Sequence, residues 1–179
     1  MTWREIREAD LPACLALQPG NLGDEIVGRE TAVRIWKRLL GDRAFRGIVI
    51  EDGSARSGSR IIGVGAGVFV RPDFMTAEIG NPRPGVKARI VASLAHGASV
   101  LLQHEQVGAA NAGDGVDIVS LMGSWRQRRL NRDELGEMSS LLAESFFQVY
   151  RGYRLHRFPP QRNASRHVCG AVGGQRLPL

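Results

Sequence analysis

Three glycines at alternate positions are the residues whose spacing could serve chemistry. Gly63, Gly65 and Gly67 lie in the run from Ile61 to Val68, and a period of two places all three on one face of a predicted strand. A strand face without side chains lets another group approach the backbone closely. The stripe predicts either a tightly packed helix or a site for a flat ligand, and these glycines are the candidate ligand-binding residues.

The glycine run does not predict a dinucleotide site. The spacing G-x-G-x-x-G is absent from residues 61–68, and no helix pattern opens directly after them. His96 and His104 are eight residues apart, without a nearby cysteine or second carboxylate, so no metal site is predicted. Hydrolase chemistry is not predicted either, since Ser120, Ser124 and Ser145 lack the context G-x-S-x-G.

Cysteine usage points to a reducing compartment. Cys14 and Cys169 are the two cysteines, and their separation fits neither a disulfide framework nor a metal site. Cys14 shares the apolar side of a predicted helix with Leu11 and Leu15, which predicts a buried, unreactive thiol. No run approaches the roughly 20 apolar residues of a membrane helix, and no signal-peptide pattern opens the chain. We therefore expect a cytoplasmic protein without a membrane partner.

The net charge of +6 is confined to one end. Residues 1–150 carry 18 basic and 18 acidic side chains, whereas residues 151–179 carry six arginines and no acid. A DNA-reading domain usually carries its basic patch on the folded body. The sequence therefore predicts no specific nucleic-acid binding by this chain. Trp125 with Arg126, Arg128 and Arg129 is expected to form a basic surface loop.

Hydrophobic periodicity predicts alternating strands and helices. Strands are expected over 2–7, 47–50, 60–70, 99–102 and 116–122, and helices over 11–17, 29–40, 86–96, 105–112 and 131–156. Asp10 is expected to cap the first helix. Asn131 and Glu134 have the spacing of a capping box at the start of the last and longest helix. Large apolar and aromatic residues repeat along that helix at spacings of three and four: Leu135, Met138, Leu142, Phe146, Val149 and Tyr153.

This pattern predicts an α/β (α+β) fold with a mixed, mostly antiparallel sheet flanked by helices and a long C-terminal helix. We expect one domain over residues 1–158. Residues 159–179 have no apolar period and many glycines, which predicts a disordered basic tail.

The order strand, helix, helix, strand, strand over residues 2–71 resembles the front half of the GNAT superfamily of N-acetyltransferases. The opening Arg4-Glu5-Ile6-Arg7-Glu8-Ala9-Asp10 is similar to that superfamily's first strand and turn. The resemblance implies a loop [RQ]-x-x-G-x-[GA] at a helix start, whose backbone N–H groups hold the pyrophosphate of acetyl-CoA. No such loop follows residues 60–70. Residues 81–85 stand roughly in its place, with Pro82 and Pro84 lacking N–H donors.

A second resemblance covers about residues 1–157. It is carried by Asn81-Pro82-Arg83-Pro84-Gly85, Ala88-Arg89-Ile90, residues 111–117, Ser124-Trp125-Arg126, Leu130-Asn131, residues 141–146 and Arg151-Gly152-Tyr153-Arg154-Leu155. These look like a bacterial family in which an acetyltransferase-like region precedes a LuxR-type helix-turn-helix. This chain has no helical pattern after Phe158 that would correspond to the DNA-binding part.

The first functional reading is a non-catalytic regulatory or sensory domain that binds a small molecule and needs no cofactor. It is related to the N-terminal part of a LuxR-type transcriptional regulator. One alternative is an acyl-CoA-dependent N-acetyltransferase of the GNAT superfamily, for which acetyl-CoA would be the cofactor. Another is a module that forms a homodimer through the long helix.

Overall fold

The structure, a computed structural model, describes residues 1–17, 23–53, 60–80, 86–120, 124–125 and 131–157. Within these residues the strands are β1 Thr2–Glu5, β2 Phe45–Asp52, β3 Arg60–Val70, β4 Val116–Ser120, β5 Ser124–Trp125 and β6 Leu155–Arg157. The helices are α1 Leu11–Leu17, α2 Asp24–Val27, α3 Arg29–Gly41, α4 Pro72–Gly80, α5 Val86–Ala95, α6 His104–Ala112 and α7 Arg132–Tyr150. A short 3-10 helix, Glu8–Asp10, precedes α1.

The strands form one sheet in the order β1-β2-β3-β4-β6, with β5 paired to β3 beyond the end of β4. β1, β2, β3 and β4 pair antiparallel in succession, and β6 runs parallel to β4. The sheet is therefore mixed and mostly antiparallel, as the sequence predicts. The predicted order of elements over residues 2–71 is also confirmed, with the short helix α2 added before α3.

One face of the sheet packs against α1, α3 and α5. Val64, Ala66 and Val68 of β3 point to this face and are buried. The fully buried Trp36 of α3 contacts Phe45 of β2, with ring centroids 4.9 Å apart. This face is therefore filled by side chains that both the sheet and the helices contribute.

The opposite face packs against α6 and α7. Ile48, Ile50 and Phe69 of the sheet share a buried cluster with the apolar side of α7. The buried residues of α7 are Met138, Leu142, Ser145, Phe146, Val149 and Tyr150. Leu135, the first residue of the apolar repeat, is 40% exposed and lies in the first turn of α7.

The N-terminus of α7 is confirmed, but its predicted end is wrong. The Asn131 side chain accepts a hydrogen bond from the Glu134 backbone N–H at 2.9 Å, and the Glu134 carboxylate accepts one from Asn131 at 3.0 Å. The helix ends at Tyr150, not at residue 156. The chain leaves the helix because Asn111 binds the backbone N–H of Arg154 at 2.6 Å and the following residues pair with β4.

Other predicted boundaries are corrected where distant groups compete with the local pattern. β1 ends at Glu5. The Asp10 carboxylate accepts a hydrogen bond from the Arg7 backbone N–H at the start of the 3-10 helix, so Asp10 does not cap α1 as predicted. Residues 99–102 form an isolated bridge, Val70 to Leu101, not a strand. Ser124–Trp125 is a short strand paired with β3, not part of a loop.

Several predicted boundaries lie outside the described residues. These are the hairpin loop at 54–59, the arginines at 126–129, the end of the strand predicted over 116–122, and the predicted tail at 159–179 with residue 158 before it. Among the helices that the structure describes, none has the length and apolar character needed to cross a lipid bilayer.

Candidate functional site

The glycine stripe lies under α7. A Cβ atom at Gly65 would stand 3.1 Å from Cδ2 of Leu142, and one at Gly67 would stand 2.7 Å from the Tyr150 hydroxyl. At Gly63 the nearest atom would be Cβ of Ile50, at 3.4 Å. Side chains of the long helix thus occupy the space beside Gly65 and Gly67, whereas Ile50 of β2 occupies the space beside Gly63. This matches the packed-helix alternative, while ligand binding at the three glycines stays a prediction.

Tyr150 connects this helix to the backbone of two strands. Its hydroxyl lies 2.9 Å from the carbonyl oxygen of Arg46 and 3.1 Å from that of Gly67, which are partners across β2 and β3. Burial raises the pKa of the Tyr150 hydroxyl far above its ordinary value, so the group stays protonated and acts as a donor. Tyr150 therefore has a structural role in the packing of α7.

The helix that directly follows β3 is closed to anions at its start. Pro72 opens α4 and has no N–H to donate. The Asp73 carboxylate accepts a hydrogen bond from Arg71 at 3.1 Å, and hydrogen bonds from Arg71 and the Phe74 backbone N–H lower the pKa of Asp73. A negative charge already occupies the position where a helix N-terminus would attract a phosphate.

The next helix begins differently. The first turn of α5 contains no acidic residue, and its second residue is Lys87. Burial lowers the pKa of the Lys87 ammonium from its ordinary value. Two hydrogen bonds join Arg89 of α5 to the buried Glu78 of α4, which holds the two helices together. The start of α5, immediately after residues 81–85, is the described helix end better suited to a phosphate group.

An open cleft of about 390 Å³ lies where β1 ends and β2 begins. Arg46, Glu5, Tyr153 and Arg43 contribute its polar wall. Arg46 donates to both oxygens of Glu5, at 3.1 and 3.3 Å, and to the Tyr153 hydroxyl at 3.3 Å. Its guanidinium also lies over the Tyr153 ring, 5.7 Å from the centroid. Although burial alone would lower the pKa of Arg46, the hydrogen bonds that it donates to Tyr153 and Glu5 raise the pKa overall.

Arg43 reaches this cleft from a turn that ordinarily favours glycine. The Ala44 N–H bonds the Leu39 carbonyl at 3.1 Å and the Arg43 N–H bonds that of Leu40 at 3.2 Å, which is the Schellman pattern that ends a helix. Arg43 has φ of 56°, the one positive φ at a non-glycine position among the described residues. A non-glycine residue in this left-handed region costs about 1–2 kcal/mol. The exposed Arg43 side chain has no hydrogen-bond or ion-pair partner among the described residues.

A second polar cluster fastens β6 to the sheet. The carboxylate of Asp117, 1% exposed, receives two hydrogen bonds from Arg157 at 2.9 and 2.6 Å and lies 3.3 Å from Nδ1 of His156. Arg157 also donates to Thr76 of α4 at 2.9 Å. Since Arg157 holds both carboxylate oxygens, this cluster binds one element of the fold to another.

The remaining candidates from the sequence lie apart from the cleft. Cys14 is fully buried, and burial raises the pKa of its thiol to about 12, as expected for an unreactive cysteine. The Ser145 hydroxyl donates to the Leu141 carbonyl of its own helix at 2.6 Å. His96 contacts the Ala92 carbonyl at 2.7 Å. Within the described ranges, no group of three or more His, Cys, Asp or Glu side chains is placed to hold a metal ion.

Sequence reasoning missed the cleft at Arg43 and Arg46. Gly41 is the glycine that follows the apolar pattern of α3, and it marks the helix stop in the sequence. In the structure Gly41 is the last helical residue, and the left-handed position falls on Arg43. Tyr153 lies more than 100 residues after Arg43 and Arg46 in the chain, so no local pattern unites the three.

Comparison with known proteins gives no family for this chain. No family model matches it, and no similar protein was found among curated proteins. It is similar to the crystal structure, at 1.9 Å, of a predicted acetyltransferase with acetyl-CoA from Clostridium acetobutylicum. The TM-score is 0.47 and the identity 14%, over 98% of this chain and 90% of that chain. The fold described above rests on the chain's own strands and helices.

Proposed function

We propose that this chain binds acyl-CoA and acts as an N-acetyltransferase of the GNAT type. The observation that carries the proposal is the order β1, α1, α3, β2, β3, which is the order that the resemblance over residues 2–71 implies. A chain fold by itself does not specify a reaction, so the proposal depends on where the cofactor could bind.

In this proposal the pyrophosphate of acyl-CoA binds at the start of α5, whose first turn contains no acidic residue. The first N–H groups of a helix have no intrahelical partners, and the helix dipole favours an anion there. Lys87 is in the same turn, and that turn of the described helix contains no acidic residue. When bound, acetyl-CoA would supply an acetyl thioester. An amine would attack its carbonyl carbon, and the C–N bond would form as the C–S bond breaks. The amine nitrogen would lose one proton, and coenzyme A would leave as the thiol.

Calorimetric titration with acetyl-CoA tests the binding step. The expected result is saturable binding that Lys87→Gln weakens by about tenfold, a typical loss for one charged contact. Lys37→Gln is the matched control, because Lys37 is an exposed lysine of α3 that pairs with Glu8 of the 3-10 helix. It should bind like the unchanged protein. If no binding is detected at millimolar acetyl-CoA, the proposal of an acetyltransferase is wrong.

A second candidate function is a sensory or regulatory domain without catalysis, of the kind that precedes a LuxR-type helix-turn-helix. The observation that favours it is the closed start of α4, where Pro72 and Asp73 stand directly after β3. Mass spectrometry of a panel of amines incubated with acetyl-CoA separates the two candidates. Acetylated product favours the enzyme, whereas binding of acetyl-CoA without product favours the sensory domain.

A homodimer through α7 stays a prediction. Phe147 on the outer side of this helix is 51% exposed. Native mass spectrometry at micromolar concentration would detect the dimer, and a Phe147→Lys variant that shifts the equilibrium to monomer would locate its interface.

A further inference from the structure

We infer that the cleft between β2 and Tyr153 is a binding site for a small anionic ligand, carrying a carboxylate or a phosphate group, and that Arg43 is its main contact. This inference is independent of acyl-CoA binding, because its residues lie at the start of β2 rather than at the start of α5. The argument rests on the charge balance of the cleft, on its unused donors and on the backbone of Arg43.

The charges that line the cleft do not cancel. Glu5 accepts both of its hydrogen bonds in the cleft from Arg46, which leaves the guanidinium of Arg43 as the excess positive charge. An arginine can bind a carboxylate or a phosphate through two parallel hydrogen bonds, which gives both strength and orientation. A ligand with one anionic group therefore matches the cleft in charge.

The hydroxyl of Tyr153 provides a second donor. It accepts a hydrogen bond from Arg46 at 3.3 Å, and its own proton has no acceptor among the described residues. The ring is held in place by Phe69, with centroids 4.8 Å apart, so the hydroxyl has a defined position in the wall of the cleft. Two donors on different elements, Arg43 and Tyr153, thus face the same space.

The backbone of Arg43 points to a role for its side chain. Glycine fits the left-handed position of a Schellman motif without strain, whereas arginine does not. Strained residues persist where the surrounding structure holds them, and they cluster at ligand sites. Here the strain accompanies a side chain that has no hydrogen-bond or ion-pair partner among the described residues, so polar contacts within the fold do not account for the arginine.

The Arg43→Gly variant separates folding from binding. Because glycine removes the strain, this variant should melt at the same temperature as the unchanged protein or higher. It should also bind inorganic phosphate or acetate at least tenfold more weakly. Binding is measured by ¹⁵N NMR titration with each anion, at constant ionic strength set with chloride. Saturable shifts are expected at residues 43–47 and at Tyr153.

Two further variants complete the test. Tyr153→Phe removes the second donor and should weaken binding severalfold. Arg38→Gln removes an exposed charge from α3, the helix that precedes Arg43, outside the cleft, and should change the affinity less than twofold. Tighter binding of phosphate than of acetate identifies a phosphate ligand, and the reverse identifies a carboxylate. The inference is overturned if neither anion gives saturable shifts at the cleft. It is equally overturned if Arg43→Gly binds as well as the unchanged protein.

Discussion

The two faces of the sheet are packed by opposite means. On the face covered by α1, α3 and α5, the strands project Val64, Ala66 and Val68, and the helices bring large groups such as Trp36 to meet them. On the face covered by α7, β3 presents Gly63, Gly65 and Gly67, and helix side chains reach the strand backbone at Gly65 and Gly67. The first face is held mainly by the burial of apolar side chains. The second is distinguished by the close fit of α7 side chains against the strand and by the buried Tyr150 hydroxyl.

This difference shows why a glycine stripe and a valine stripe can alternate along one strand. On each face, the size of the strand side chains is limited by the space that the covering helices leave. We therefore expect large side chains to be essential on the first face, and added side chains to be damaging on the second. The substitutions below test that contrast, from the largest expected effect to the smallest.

Trp36→Ala should cause the largest loss. Trp36 is fully buried, so its removal leaves a cavity beside Phe45, and the free energy of unfolding should fall by about 3–5 kcal/mol. Chemical denaturation measures the change. Lys37→Ala, the exposed neighbour on α3, is the control and should stay within about 0.5 kcal/mol. A Trp36→Ala protein as stable as that control would show that this face does not hold the fold together.

Gly65→Val should lower the free energy of unfolding by about 1–3 kcal/mol, since its Cβ would press on Leu142 at 3.1 Å and force the helix and strand apart. Gly53→Val is the matched control, because a Cβ at Gly53 meets nothing within 4 Å. An unchanged melting temperature for Gly65→Val would contradict the packing described here. It would make β3 the first place to search for a ligand.

Tyr150→Phe should cost about 1 kcal/mol, because the hydroxyl that bonds the carbonyls of Arg46 and Gly67 is lost while the ring remains. Tyr153→Phe is the comparison and should cost less, because the Tyr153 hydroxyl borders the open cleft and water can replace its hydrogen bond. The two variants are compared by thermal and chemical unfolding. Equal losses would show that burial of the Tyr150 hydroxyl adds nothing to its contribution.

The smallest effect concerns Asp10 and is visible through pH. Hydrogen bonds from Arg4, at 2.6 and 2.9 Å, lower the pKa of Asp10 below its unfolded value of about 4. The ionised carboxylate therefore stabilises the folded state above about pH 4, and this contribution is lost as the pH falls through the folded pKa. Asp10→Asn should be less stable at pH 7 by about 1 kcal/mol or less.

Unfolding of Asp10→Asn and of the unchanged protein is compared at pH 7, 5, 4 and 3. The difference in the free energy of unfolding should be constant from pH 7 to 5 and should shrink below about pH 4. A difference that grows as the pH falls would have the wrong sign for a carboxylate with a lowered pKa.

Local patterns in the sequence determined the elements whose signals are contained within a few residues. The capping box at Asn131 correctly predicts the start of α7, and the apolar runs give the bounds of α1 and β3 as the structure has them. The alternation along β3 also places the three glycines on one face. In each case the hydrogen bonds or the periodicity that define the element lie inside the element itself.

Where the residues that compete for a segment lie far away along the chain, only the tertiary structure decided which structure the segment adopts. The apolar pattern continues past Tyr150, but α7 ends there because Asn111 and Asp117 capture the residues that follow. Whether the glycine stripe faces a helix or open space depends on Leu142 and Tyr150, which are remote in sequence. The cleft at Arg43 likewise needs β1, β2 and the segment after α7 together, and no spacing within any one of them encodes it.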